Sequence, residues 1–525
     1  MNTKLNHYIC LVGLLLMVAI SLTGCSLSQK PAAENKQPPK KTITEGGTLV
    51  IARKFDAGNL DPHFISTIHA ASVVYQKVYE GLVTRDVNMG ISPQLATSWK
   101  QIDEVTWEFK LRQGVFFHDG TPFRADAVKK TFDRVLDPQV ASTRASMFDK
   151  IKEVKIVDDS TVQIRLRSPF APLLSILASH EGSILSPKAI AQYGKELSKH
   201  PVGTGPFTFQ SWTPAQEIVL KKNQKYWGRP PKVDQVVFRI IPDDNERIAM
   251  VESGEAQIAE SIPVTAIDRI QSSQQMRIYR SEALGTEFIG FNVSKKPLND
   301  VRVRQAISYA IETGAIIKGV YNNVGTKAKS PLGPKVFGYY PAVKNYTYDL
   351  NKARDLLEQA GYPNGFATTI ITYDRTDRVN VAKVIRSQLK GIGIEAELKI
   401  VDYDEFVDAI EKTKEHDIFV SGWGNATGDA DYNQYNLFHT IGGGKGNSFM
   451  YSNAELDQLI EAGRMETDHQ KRWSIYAKAQ EMELQDALLV PIRNMENLAV
   501  IHNSVEGFSM SPAGYLMLNQ VTIQK

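Results

Sequence analysis

Three short stretches in the second half of the chain carry side chains able to hold a charged solute. They are Tyr373-Asp374-Arg375, then Asp402-Tyr403-Asp404, then the run Gly422-Trp423-Gly424-Asn425-Ala426-Thr427-Gly428-Asp429-Ala430-Asp431-Tyr432. A guanidinium such as that of Arg375, with Arg378 as its rival, forks a carboxylate through two N–H donors. An aspartate accepts from an ammonium, and Asp429 and Asp431 both lie in the third stretch. With Trp423 and Tyr432 as aromatic faces and Asn425 and Thr427 as polar contacts, the set suits a zwitterionic solute. No nucleophile elbow, zincin motif or Ser-x-x-Lys anchor accompanies it, so catalytic residues are not expected and a secreted hydrolase is the weaker alternative.

These stretches matter only if folding brings them together. Apolar runs at 366–372, 394–401 and 417–421 predict strands, with helices at about 379–391 and 403–412 between them. Alternating strands and helices imply a parallel sheet with right-handed crossovers. Parallel strands place their carboxyl ends on one edge, where open sheets bind ligands.

Upstream the pattern is more mixed. Val105, Trp107, Phe109 and Leu111 alternate with polar residues, the mark of a half-buried strand. Asp119-Gly120 signals a turn, and Val128, Phe132 and Val135 then recur at helical spacing. Hairpins are expected at 154–166 around Asp158-Asp159-Ser160 and at 207–222 around Thr213-Pro214. Further strands are expected at 48–52, 236–241, 287–293, 488–492 and 497–502. Asp243 or Asp244 should cap a helix ending at Gly254, and Asn299 or Asp300 should cap another.

Four features imitate chemistry but read more simply as structure. His118-Asp119 fits a turn that caps the following helix. Gly203-Thr204-Gly205 has neither the Gly-Lys-Ser/Thr of a P-loop nor the third glycine of a dinucleotide fingerprint. Lys445 is followed by Gly446, so the run from Gly442 is no Walker motif. His439 has no His or Cys partner at ligand spacing, and no metal or cofactor is expected.

Residues 1–24 read as a secretory leader. Lys4 is followed by an apolar core shorter than the ~20 residues that span a bilayer. Leu22-Thr23-Gly24-Cys25 resembles a bacterial lipobox, which makes Cys25 the lipid attachment site. The other cysteine, Cys10, lies in the segment removed. Residues 26–44 are rich in Lys, Pro, Gln and Ala and read as a disordered tether reaching roughly 25 Å. The remainder is too long for one core, so at least two lobes are expected. The formal charge is +3, with both signs mixed along the chain, and nothing asks for a nucleic-acid partner.

The stretch from Pro93 to Leu136 carries a specific resemblance. It has Trp99 after an apolar run, a strand ending in Leu111-Arg112, then Phe117-His118-Asp119-Gly120-Thr121-Pro122 and Ala125-Asp126-Ala127-Val128. This is similar to the signature of the extracellular solute-binding proteins, family 5, which serve peptide and nickel ABC importers. Ala127 is the one departure, an extra residue between Asp126 and Val128. Further segments resemble the family: Leu60-Asp61-Pro62, Glu80-Gly81-Leu82, Gly203 to Phe207, Asn223 to Gly228, and the helix at 348–361.

The resemblance implies an α/β, two-lobed periplasmic-binding-protein-like fold of type II, cluster C, with an extra inserted α+β domain. Lobe I would comprise 45–76, 201–285 and 503–525, the inserted domain 77–200, and lobe III 286–502. It implies a monomeric, lipid-anchored receptor on the outer face of the cell membrane. The receptor would pass short peptides to ABC permease and ATPase subunits. A receptor for a nickel chelate or haem is the alternative within the fold. The family's peptide binders hold the ligand's amino end in the loop after a Gly-Trp pair, matched here by Trp423. Their aspartate three positions on is replaced by Ala426, so Asp429, with Asp431 in reserve, is expected to take that role. The loop looks closer to the glutathione-binding branch.

Overall fold

The structure, a computed structural model, describes residues 43–44, 46–442 and 446–524. The leader, Cys25, most of the tether and Lys445 lie outside the described residues.

One mixed sheet forms the spine. Its order is Phe207–Thr213, Glu217–Lys222, Gln235–Ile240, Thr48–Arg53, Ile258–Glu260, Leu489–His502, Met276–Phe291, Ile418–Trp423, Ala367–Tyr373 and Glu395–Val401. Met276–Phe291 and Leu489–His502 are its longest strands, 16 and 14 residues, and they pair antiparallel where the two halves of the sheet meet. Their ladder breaks first between Glu282 and Thr286, leaving Ala283, Leu284 and Gly285 opposite Met495. Only the end of the first strand was expected. From Leu284 to Phe291 every residue is buried, so the alternation that marks a half-buried strand is missing. The second strand was expected as two pieces, 488–492 and 497–502, with the mostly polar run Arg493-Asn494-Met495-Glu496 between them. Pro491 sits at a second irregularity in the ladder, where its lack of an N–H is tolerated.

The expected parallel unit is present. Ala367–Tyr373 pairs in parallel with Glu395–Val401 on one side and Ile418–Trp423 on the other. Thr376–Lys390 makes the first crossover. Tyr403–Val407, extended by a wider turn over Asp408–Thr413, makes the second. Helix starts follow their capping residues: Asp243, Asp300, Asp349 and Asp402 each accept from a backbone N–H of the first turn. Gly254 closes the first of these helices at φ 81°, in the left-handed region.

A four-stranded antiparallel sheet, ordered Ala96–Asp103, Thr106–Leu111, Thr161–Leu166 and Ile151–Asp158, carries its own core. Helix Ala125–Leu136 lays Val128, Phe132 and Val135 onto Phe109, Phe148 and Ile164. Burying a side chain of Phe132's size contributes about 1.5–3 kcal/mol. Leu185, Ala189 and Leu197 pack instead with Ile51 and Phe238 in the core of the first lobe, and Val505, Leu516 and Val521 from the chain's end join them. Among the described residues no helix is long and apolar enough to cross a membrane.

The imitative features have structural partners. His118 is half-buried and contacts the Gly205 carbonyl at 2.9 Å, and desolvation pushes its imidazole down to about 4. Asp119 accepts from Thr121 N–H at 2.9 Å and from the Ser186 hydroxyl at 2.5 Å. It does not cap the following helix, whose N-cap residue is Arg124. The glycines of Gly203-Thr204-Gly205 permit close approach to the strandless segment before Glu80. A Cβ on Gly203 would lie 2.0 Å from the Val78 carbonyl, and one on Gly205 2.3 Å from that of Lys77. His439 packs on Tyr435 with its Nε2 3.4 Å from Glu461.

Candidate ligand-binding site

A cavity of about 1050 Å³ lies against the break in the crossing strands, with Leu284, Gly285 and Met495 on its wall. Lys54, Phe55 and His69 line it from the segment after Thr48–Arg53, and Arg144, His180 and Glu181 from segments after helix Ala125–Leu136. The parallel unit and the strand Leu489–His502 contribute Arg375, Asn425, Ala426, Tyr432 and Arg493. The wall mixes aliphatic and aromatic surface with charges of both signs, the composition of a site that orients a polar solute.

The expected site residues divide. Arg375 reaches the cavity from the start of Thr376–Lys390, with half its side chain exposed. Its guanidinium forks Asp377 at 2.6 and 2.7 Å. The rival, Arg378, is buried against Glu287 at 2.7 Å and does not line the cavity. Glu287 also meets Arg493 at 2.6 Å. Burial opposes its charge, but the two guanidiniums hold its carboxyl below the ordinary range.

Asn425 and Tyr432 also line the cavity. Asn425 is buried and organises its own loop. Its amide donates to the Asp429 carbonyl at 2.7 Å, and its side-chain oxygen accepts from Gly428 N–H at 2.5 Å. Thr427 is buried and accepts from Asp429 N–H at 3.3 Å. Neither Thr427 nor Trp423 is on the wall. Trp423 packs beside the Phe419 and Phe438 core and stands 6.1 Å from the Tyr432 ring. The end of the second parallel strand does not reach the cavity, and Asp402 there caps a helix.

The two aspartates expected to meet an ammonium are turned away from the cavity. Asp429 is 2 % exposed, and Arg472 grips both its oxygens at 2.8 and 2.7 Å. It also caps Ala430–Leu437 through Asp431 N–H and accepts from the Ser175 hydroxyl at 3.1 Å. Burial works against its charge, yet Arg472 keeps its carboxyl below the usual range. Asp431 lies 2.9 Å from Arg464. Burial, reinforced by Asp429, pushes it up to about 6. A carboxylate saturated by a buried guanidinium has no free acceptor to offer a ligand, which is the physical reason to withdraw Asp429 from the ammonium role.

The wall opposite was not anticipated. Lys54, His69, Arg144, His180 and Glu181 come from segments with no motif. One signal was available: between Ser168 and Pro187, an otherwise apolar and small-residue stretch, His180 and Glu181 are the only titratable side chains.

A solute cavity set against two strands that cross between lobes defines an extracytoplasmic solute-binding protein. Residues 90–445 match the family described as bacterial extracellular solute-binding proteins, family 5 Middle, and the chain belongs to that family. These are transport binding proteins, not enzymes. The chain is 32% identical over 474 residues to the glutathione-binding protein GsiB of Shigella dysenteriae, covering 88% of this chain and 92% of that one. Its fold is similar to that of HbpA2 from Haemophilus parasuis, with TM-score 0.82, 29% identity, and coverage of 91% and 100%. It is also similar to DppA from Helicobacter pylori in complex with the peptide STSA, with TM-score 0.77, 30% identity, and coverage of 92% and 99%.

Proposed function

We propose that this protein captures short peptides, glutathione among them, and delivers them to an ABC permease. The observation that carries the reading is the cavity of about 1050 Å³ walled by both lobes and lined by Arg375 together with carboxylates such as Glu181. Its size is at the upper end of small-ligand sites, room enough for a few residues and bound water. The relatives' names, a glutathione-binding protein and a peptide complex, support the same ligand class. Mass spectrometry of the ligand released from gently purified protein tests this. Intact short peptide is the expected species. A nickel chelate or haem would replace the reading with its alternative, and peptide fragments generated during incubation would revive the hydrolase.

We propose closure by a hinge at the broken ladder of the crossing strands. Contacts already join the inserted unit to the third lobe: Ser175 to Asp429, and Ala171 N–H to the Arg464 carbonyl at 2.8 Å. Saturating peptide should reduce the radius of gyration in small-angle scattering. It should also stabilise the protein by about 2.7 kcal/mol at a hundredfold excess over Kd. An unchanged radius would argue against the hinge.

Anchoring through Cys25 belongs to the same proposal, with a monomer tethered at the outer face of the membrane. Cys25→Ala should release the protein to the medium or leave it unprocessed. A processed variant still in the membrane fraction would exclude the lipid anchor.

A further inference from the structure

Five carboxylates line the cavity, and four are already paired. Asp244 meets Arg247 at 2.5 Å, Glu260 meets Arg53 at 3.1 Å, Asp377 holds Arg375, and Glu496 meets Arg280 at 2.7 Å. The fifth is Glu181, in the turn His180–Gly182 of the inserted unit. It is 2 % exposed, and its Oε2 has no hydrogen-bond partner. Among the described residues no lysine or arginine lies within ion-pair distance of it. Arg144, on the same wall, spends Nε and Nη2 on the Ile65 carbonyl.

The side chain at ion-pair distance is His180, whose Nδ1 stands 3.1 Å from Glu181 Oε2 and 3.0 Å from the Tyr515 hydroxyl, while Arg144 acts on that imidazole only through its field. Burial holds that imidazole below its ordinary range, so at neutral pH it does not neutralise the carboxylate. A buried, unpaired carboxylate is costly, and it persists where something else supplies the opposite charge. Ala426, also on the cavity wall, presents only a methyl group. Tyr432, from the same loop, is close enough for Glu181 to add to the upward push that burial gives its phenol. The carboxylate shares the cavity wall with the loop whose own aspartates are held by Arg472 and Arg464.

We infer that Glu181 binds the ammonium group of the ligand, so that the inserted unit, rather than the third lobe, reads the peptide's amino end. This rests on the peptide-binding reading above. Ammonium and carboxylate would then be held by different segments of the cavity wall, and a ligand lacking the ammonium would leave Glu181 uncompensated.

Calorimetry with trialanine and with propionyl-alanyl-alanine, which lacks only the ammonium, tests this on wild type and on Glu181→Gln. Wild type should bind trialanine at least about thirtyfold more tightly than the desamino analogue. Glu181→Gln should lose at least about thirtyfold for trialanine and bind the analogue within roughly threefold of wild type. Trialanine binding by Glu181→Gln at wild-type affinity would overturn the inference while leaving the peptide reading intact. So would equal affinity of wild type for the two ligands, a comparison that needs no variant to fold. Wild type that binds neither trialanine nor glutathione would overturn the reading and this inference with it.

Discussion

Asp429→Ala should destabilise the folded protein by roughly 3–5 kcal/mol, the scale for removing one partner of a buried ion pair. The substitution strands the Arg472 guanidinium, itself 6 % exposed, with no carboxylate. It also removes the cap of Ala430–Leu437 and the acceptor for Ser175. A second variant separates these effects. Removing both charges, as Asp429→Ala with Arg472→Met, should recover part of the loss, because a buried pair replaced by apolar groups is often near neutral. Chemical unfolding of the two variants gives the comparison. Peptide affinity, measured on folded protein, should change far less than stability. Unchanged stability with lost affinity would mean that the Asp429 carboxylate faces the ligand after all.

Glu287→Gln should have an effect of similar size, again roughly 3–5 kcal/mol at neutral pH. Glu287 is 1 % exposed and serves two buried guanidiniums, Arg378 and Arg493, with that of Arg375 3.7 Å away. Arg493 is on the cavity wall and also stacks over Tyr321, so the cluster anchors the floor of the site to the crossing strands. The pH dependence has a definite sign. A carboxyl whose folded pKa is depressed contributes stability above its unfolded pKa, about 4.3 for Glu, and loses it as pH falls through the folded value. The gap between wild type and Glu287→Gln should therefore be full at pH 7 and shrink below about pH 4. A gap that is absent at pH 7, or that widens with acid, would contradict the ion-cluster assignment.

How much was legible in the sequence depends on whether the signal was local. The β-α-β-α-β unit was, because its strands are short, apolar and separated by periodic helices. The caps Asp243 and Asp300 were, because a cap is read within a few residues, whereas Asp402 was expected at the site and proved to be a cap. The location of one wall was, since Asn425, Ala426 and Tyr432 follow from a strand end. Partner choice was not. Nothing in the loop from Gly422 to Tyr432 says that Asp429 will meet Arg472, 43 positions on, rather than a solute. The long strand Met276–Phe291 was obscured by burial on both faces. Glu181 was visible only as a charge inside an apolar run, and its significance depends on the four paired carboxylates around it.

The central claim is that both lobes enclose a short peptide as a ligand. Titrating purified wild-type protein with trialanine and with glutathione in a calorimeter, followed by chromatography of the recovered solute, tests it most directly. The account predicts saturable one-to-one binding of at least one of them and recovery of that peptide unchanged. Absence of binding to both, or recovery of cleaved peptide, would contradict it.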